Sequence, residues 1–133
     1  MPENNKYGQD LSNYRIEMAE ERLQSAKILL KEGMYKDSIG RSYYAIFTAT
    51  RGLLALEGVD YSKHSGVISH FQKEYIKTGK IEVEYSKLLS KAFNIRNSCD
   101  YADYFLASKD DATKQCESAE RFIKRIKEYI HNN

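Results

Sequence analysis

The absence of proline after Pro2 limits most strongly what this chain can fold into. Proline lacks a backbone N–H and clashes inside helices, so the rest of the chain is free to form long ones. Apolar residues then recur at alternating spacings of three and four, in the series Ile16, Ala19, Leu23, Ala26 and Leu30. This spacing follows the 3.6-residue period of the α-helix. The sequence therefore predicts an all-α protein.

Five helices are expected from the apolar pattern and from the residues that begin and end helices. Ser12 or Asn13 is expected to cap the first helix, which ends at Gly33. The second runs from about residue 35 to 57 and stops at Gly58. A short helix capped by Ser62 follows, and two long ones cover about residues 81–102 and 109–130. Short connections favour antiparallel neighbours, which predicts an antiparallel up-and-down bundle of four long helices plus one short helix.

Composition excludes several classes of protein. The 133 residues suffice for one domain, expected over 13–133 after a flexible tail over 1–12. A net charge of +2 does not mark a nucleic-acid binder, and no apolar run reaches the roughly 20 residues of a membrane span. Cys99 and Cys116 have no CxxC or Cys/His neighbours, so no metal site is expected. We expect a cytoplasmic protein without a cofactor.

One arginine stands out near the end of the fourth predicted helix. Arg96 and Asp100 are four residues apart and share a helix face, with Tyr101 and Tyr104 following closely. An arginine can bind a phosphate through two parallel hydrogen bonds, and a tyrosine can stack on a base or donate a proton. An Arg–Asp pair that only stabilises the helix surface is the alternative.

The second and third predicted helices carry further candidates. Asp37 and Arg41 are also four apart and are expected to pair, with Tyr44 beside Arg41. Of the adjacent tyrosines 43 and 44, one ring is expected in the core and the other at its rim. His64 begins the short helix, where an imidazole can serve as a cap or as an acid–base group. No partner for His64 is visible in the sequence, which leaves a purely structural role open.

Several short segments form a recognisable pattern when they are taken in order. They are Glu21-Arg22-Leu23, Ala26 and Leu29-Leu30; then Tyr35, Ser38 and Arg41-Ser42-Tyr43-Tyr44-Ala45-Ile46-Phe47; then Lys63-His64-Ser65-Gly66; and then Arg96-Asn97-Ser98-Cys99-Asp100-Tyr101. With this pattern the chain resembles the HEPN superfamily of small helical-bundle proteins. The likeness covers about residues 15–130 and is greatest to single-domain prokaryotic members with an Arg-x3-Asp-Tyr signature.

The resemblance implies a site in which two copies meet across a dimer axis. Many HEPN proteins are metal-independent ribonucleases whose motif is an arginine, a polar residue, a short spacer and a histidine. Arg96 and Asn97 match the first half, but Tyr101, Ala102 and Asp103 stand where the histidine would be. An unperturbed tyrosine has a pKa of about 10 and is a poor base at neutral pH. The resemblance therefore implies phosphate binding with weak cleavage or none, and His64 is the candidate to replace the missing base.

The resemblance also implies partners. Some HEPN proteins are encoded with a minimal nucleotidyltransferase that silences them, and Tyr101 and Tyr104 are analogues of the tyrosine modified in such pairs, without its His-x-Tyr context. Three interpretations remain: a homodimer that binds RNA or a nucleotide and is toxin-like, a non-catalytic module for a nucleotidyltransferase, and a plain structural bundle. The candidate residues are, for catalysis, Arg96, Asp100, Tyr101 and His64, and, for binding, Arg96, Asn97, Tyr104, Arg41 and Tyr44.

Overall fold

The computed structural model describes residues 2–132, and side chains from residue 6 onward. This part of the chain forms five α-helices and no strand. A π-helical turn, Gln72–Ile76, continues the third helix. The prediction of four long helices and one short one is confirmed. The helices are α1 (Pro2–Lys31), α2 (Tyr35–Ala55), α3 (His64–Phe71), α4 (Val83–Tyr101) and α5 (Lys109–Asn132).

Three glycines stand just after helices, as the sequence predicts. Gly33, Gly58 and Gly79 have φ angles of 81°, 71° and 79°, in the left-handed region that side chains disfavour. Each reverses the chain after a helix without the steric cost that a Cβ atom would bring. These stops separate α1 from α2, α2 from α3, and the π-helical turn from α4.

The start of α1 differs from the sequence prediction. The helix begins at Pro2 rather than after residue 12, so Ser12 lies in mid-helix, buried, and is not a cap. Gly8 explains the difference, because a Cβ there would lie 2.8 Å from the carbonyl oxygen of Ala55. Without that side chain, the first turns of α1 pack closely against the end of α2. Met1 lies outside the described residues.

The N-termini of α3 and α5 differ in how they are capped. The N-cap of α3 is Lys63, without a side-chain cap, so the prediction that Ser62 caps this helix is wrong: Ser62 lies one residue too early. At α5, the Ser108 hydroxyl accepts from the Asp111 N–H at 3.0 Å, and the Asp111 carboxylate accepts from the Ser108 N–H at 3.1 Å. This reciprocal capping box fixes the first turn of α5.

Helix α2 is the centre of the bundle and contacts α1, α3, α4 and α5. Its buried residues lie all round the helix, which is typical of a helix enclosed by neighbours. Tyr43 is fully buried and Tyr44 is half-buried, so one ring lies in the core and one at its rim, as predicted. Among the described residues, no helix is both long and apolar enough to cross a bilayer.

Candidate functional site

Helices α1, α2 and α4 enclose a groove of about 590 Å³, which we call the Arg96 groove. The side chains that line it come from three separate parts of the sequence. Its lining residues are Arg22 and Leu29 from α1, Lys36, Asp37, Gly40, Arg41 and Tyr44 from α2, and Arg96 and Asp100 from α4.

The guanidinium of Arg96 is held from several sides. Its Nε lies 2.9 Å from Oδ2 of Asp100, as their four-residue spacing predicts, and its Nη2 donates to the Tyr44 hydroxyl at 2.9 Å. The guanidinium carbon lies 5.3 Å and 5.2 Å from the ring centres of Tyr43 and Tyr44, within cation–π range. Guanidinium has five N–H donors, so this arrangement fixes the group and leaves donors for a ligand.

The Arg96 groove is positively charged. Four cationic side chains and two carboxylates line it. Within the described residues, Arg22, Lys36 and Arg41 form no ion pair; Arg22 donates only to the Met18 carbonyl of its own helix. The predicted Asp37–Arg41 pair does not form; both side chains are exposed and line the groove separately. Unpaired cations in a groove favour an anionic ligand.

His64 approaches Arg96 through the same two aromatic rings. Its Nδ1 lies 2.9 Å from the Tyr43 hydroxyl, and its ring centre lies 6.0 Å from that of Tyr44 and 4.1 Å from that of Phe47. Burial lowers the pKa of His64, and the nearby charges of Arg96 and Arg51 lower it further. Burial raises the pKa of the Tyr43 hydroxyl well above its ordinary range.

His64 lines a second groove of about 410 Å³, the His64 groove, together with Phe47, Arg51, Asp60, Tyr61 and Ser62. At its rim, Asp60 binds Nη2 of Arg51 at 3.0 Å and Nη2 of Arg15 at 3.1 Å. Burial raises the pKa of Asp60, but the hydrogen bonds from the two arginines outweigh it, and the pKa lies below its usual value. The carboxylate therefore joins α1, α2 and the loop before α3.

Three predicted site residues lie outside both grooves. Asn97 is half-buried on α4 and makes no side-chain hydrogen bond within the described residues. Tyr101 is 77% exposed at the end of α4, and Tyr104 is 98% exposed in the connection to α5. Tyr104 has a φ of 61°, uncommon for a residue with a side chain. The structure thus brings together Arg96, Asp100, Arg41, Tyr44 and His64, and leaves these three at the surface.

Two features of the site were not predicted from the sequence. Arg22 and Lys36 line the groove, but each alone resembles any exposed helix cation. The ring of Tyr43 lies in the core, as expected for one of the two adjacent tyrosines. Its hydroxyl, however, forms a hydrogen bond to His64, which lies 21 residues later in the sequence. The matches of Arg22 and Tyr43 to the family pattern were the signals in the sequence for these features; Lys36 had none.

A larger cleft of about 640 Å³ lies between α1 and α5, and two ion pairs connect its two helices. Lys27 pairs with Glu120 at 3.2 Å and Lys127 with Glu20 at 2.7 Å. These ion pairs join the two helices and neutralise two of the lysines that line the cleft. Nowhere in the described part of the chain do three His, Cys, Asp or Glu side chains meet in a way suited to a metal ion.

Comparison with known proteins assigns the fold to a family. The HEPN domain model matches residues 12–129, which is most of the chain. The chain belongs to the HEPN family. The resemblance seen in the sequence is therefore confirmed, and the Arg96 and His64 grooves are features of a HEPN bundle.

Relatives of this HEPN chain come from archaea and bacteria. A protein of Methanocaldococcus jannaschii named "Putative toxin MJ0605" is 37% identical over 115 residues, 86% of this chain and 85% of the relative. A UPF0332 protein of Thermotoga maritima is 34% identical over 114 residues, 86% of each chain. A UPF0332 protein of Archaeoglobus fulgidus is 34% identical over 119 residues, 90% of this chain and 94% of the relative.

Proposed function

We propose that this HEPN protein is toxin-like and binds RNA or nucleotide phosphate in the Arg96 groove, with weak ribonuclease activity at most. The observation that carries the proposal is the fixed Arg96 guanidinium beside three cations that form no ion pair. The M. jannaschii relative that bears the word toxin in its name supports the toxin-like part.

The chemistry of the groove suits a phosphate ligand. Arginine binds phosphate through paired hydrogen bonds, and Arg41 and Lys36 extend the positive charge along the groove beyond a single phosphate. The exposed ring of Tyr104 offers a surface on which a splayed base can stack, as in proteins that bind single strands. We therefore favour a single-stranded RNA or a nucleotide over a duplex.

Weak cleavage follows from the missing family histidine. Cleavage through the 2′-hydroxyl needs a base to remove its proton and an acid to protonate the leaving 5′-oxygen. Tyr101 and Asp100 do not replace that histidine, because Tyr101 lies outside the groove and Asp100 is occupied by Arg96. General acid–base groups typically contribute about 10²–10⁴-fold in rate, and their absence leaves binding with little turnover.

Two copies complete the proposed site. We propose a symmetric homodimer in the cytoplasm, in which the Arg96 grooves of the two subunits face one RNA. The cysteines, both unpaired, suit the reducing cytoplasm. Two such grooves would give a strong local positive charge in a protein whose net charge is small.

The test is binding of a fluorescent single-stranded RNA oligonucleotide, followed by anisotropy at several salt concentrations. Arg96→Ala should weaken binding at least tenfold and should reduce the slope of log K against log salt by about 0.7 for each phosphate that the variant no longer neutralises. Arg41→Ala should have a smaller effect in the same direction, since its exposed side chain lies further along the groove.

Arg121→Ala is the matched control. Arg121 lies on α5, pairs with Glu84 and is absent from both grooves, so this variant removes the same charge elsewhere. It should bind RNA like the native chain. Equally weakened binding in Arg96→Ala and Arg121→Ala would contradict a site at Arg96, as would unchanged binding in Arg96→Ala.

The alternative, a non-catalytic module for a minimal nucleotidyltransferase, is favoured by a different surface. Three large apolar side chains are exposed within six residues: Tyr101 at the end of α4, and Tyr104 and Leu106 in the connection to α5. If this segment binds the nucleotidyltransferase, Leu106→Glu should abolish a complex seen by gel filtration. Under the RNA-binding proposal alone, no such complex forms.

A further inference from the structure

The hydrogen bond between Tyr43 and His64 joins a residue of the core to a residue of a groove. Tyr43 is fully buried, so water does not reach its hydroxyl. His64 Nδ1, at 2.9 Å, is the only hydrogen-bond partner of that hydroxyl in the described part of the chain. The other ring nitrogen of His64, Nε2, forms no hydrogen bond there, and the ring lines the His64 groove.

Counting donors and acceptors decides which atom carries the proton. If Nδ1–H donated to the Tyr43 oxygen, the Tyr43 O–H would need a second acceptor, and none is in reach. A buried donor without an acceptor is costly. If the Tyr43 O–H donates to Nδ1 instead, the hydroxyl proton is satisfied, and the proton of the imidazole is on Nε2, where solvent in the groove accepts it.

We propose that Tyr43 is a positioning residue that holds His64 in the tautomer with its proton on Nε2, so that His64 presents a hydrogen-bond donor to the His64 groove. This inference rests on the proposed function for its ligand, an oxygen of a further phosphate of the bound RNA. It also gives a second reason for weak cleavage. The nitrogen able to act as a base is occupied by Tyr43 and buried, and the free nitrogen already carries a proton.

The surroundings of the ring agree with a neutral imidazole. Burial and then the charges of Arg96 and Arg51 lower the pKa of His64. Burial raises the pKa of Tyr43, which keeps its hydroxyl protonated and able to donate. The polar and charged groups around His64 are the Tyr43 hydroxyl, to which it is hydrogen-bonded, and the guanidinium groups of Arg51 from α2 and Arg96 from α4. The Asp60 carboxylate and the hydroxyls of Tyr61 and Ser62, from the segment before α3, line the His64 groove with it.

The experiment is nitrogen NMR of the ligand-free protein labelled at histidine, at pH 7, with the His64 signals assigned by their loss in His64→Gln. We expect an unprotonated signal for Nδ1 and a protonated signal for Nε2. Tyr43→Phe keeps the ring but removes the hydroxyl, and the two signals should move towards each other as the tautomers mix. The native spectrum tests the assignment even if this variant folds poorly.

Tyr44→Phe is the matched control, because its ring also contacts His64 but its hydroxyl bonds to Arg96. It should leave the tautomer unchanged. A native spectrum with the proton on Nδ1, a charged imidazole at pH 7, or a Tyr43→Phe spectrum identical to the native one would overturn the inference. Because no ligand is present, a failure of RNA binding would leave these readings intact, so the two proposals fail separately.

Discussion

The ion pair of Asp100 with Arg96 orients the arginine but contributes little to the free energy of unfolding. It pairs with Arg96 at 2.9 Å, but its side chain is 44% exposed while that of Arg96 is 16% exposed. Solvent screens such a pair, and exposed pairs contribute about 0.2–1 kcal/mol. The carboxylate therefore orients the guanidinium more than it stabilises the fold.

We expect Asp100→Asn to lower the free energy of unfolding by less than about 1 kcal/mol in urea titrations. RNA binding should weaken at the same time, because the guanidinium is then held only by the Tyr44 hydroxyl and the two tyrosine rings, without a carboxylate to orient it. A loss of about 3–5 kcal/mol would show instead a buried structural pair, and would favour the plain structural bundle.

His64 should make stability depend on pH. The pKa of His64 is lower in the folded protein than the ordinary value of 6.5. Below pH 6.5, His64 is therefore protonated more readily in the unfolded chain than in the folded protein, and acid favours unfolding. The contribution of His64 is thus fully present above pH 6.5 and is lost as the pH falls towards the folded pKa. In urea titrations, the free energy of unfolding of the native chain should decrease as the pH falls from 7.5 to 5. In His64→Gln this decrease should be smaller.

The control for this prediction is His131→Gln, at the exposed end of α5. It should keep the native dependence on pH. If His64→Gln and the native chain lose stability in parallel, then His64 is not the residue that titrates differently in the folded state.

At the scale of elements, the start of α1 depends on one glycine. A methyl group at Gly8 would meet the Ala55 carbonyl at 2.8 Å, and backbone cannot move aside as a flexible side chain can. We expect Gly8→Ala to destabilise the protein by about 1–3 kcal/mol, as overpacking does. Thermal or urea unfolding measures this directly.

Gly40→Ala provides the comparison, since a Cβ on Gly40 in α2 meets no atom within 4 Å. It should stabilise by about 0.5–1 kcal/mol through helix propensity alone. If Gly8→Ala stabilises by the same amount, the first turns of α1 do not pack against the end of α2.

At the scale of the whole molecule, we predict a symmetric homodimer. Tyrosine combines apolar area with a polar tip and is enriched at interfaces, and Tyr14, Tyr101 and Tyr104 are all exposed. Light scattering at tens of micromolar should give twice the mass of one chain. A monomeric mass would contradict the proposed site shared by two Arg96 grooves.

Charged substitutions locate the interface. Tyr104→Glu should shift the dimer towards monomer, because the α4–α5 connection lies beside the Arg96 groove's α4 side chains. Tyr7→Glu is the control. Tyr7 is exposed on the part of α1 that packs near the end of α2, so this variant introduces the same charge at the other end of the bundle. It should leave the dimer intact. Dissociation by Tyr7→Glu alone would place the interface elsewhere.

The sequence by itself determined the helices and their ends, because these depend on neighbours a few residues apart. The apolar spacing, Gly33, Gly58 and Gly79, and the Arg96–Asp100 pair all act within one or two helical turns. The same local reasoning failed at the start of α1, where packing of Gly8 against Ala55 outweighs the polar composition.

Only the tertiary structure decided how the candidate residues meet. The Arg96–Tyr44 hydrogen bond spans 52 residues of sequence and the Tyr43–His64 bond spans 21. The packing of α2 between its neighbours creates both contacts, and also places Asp37 and Arg41 in the wall of a groove, where they form no ion pair with each other. Local spacing carries no information about such contacts, because they depend on which helix faces pack together in three dimensions.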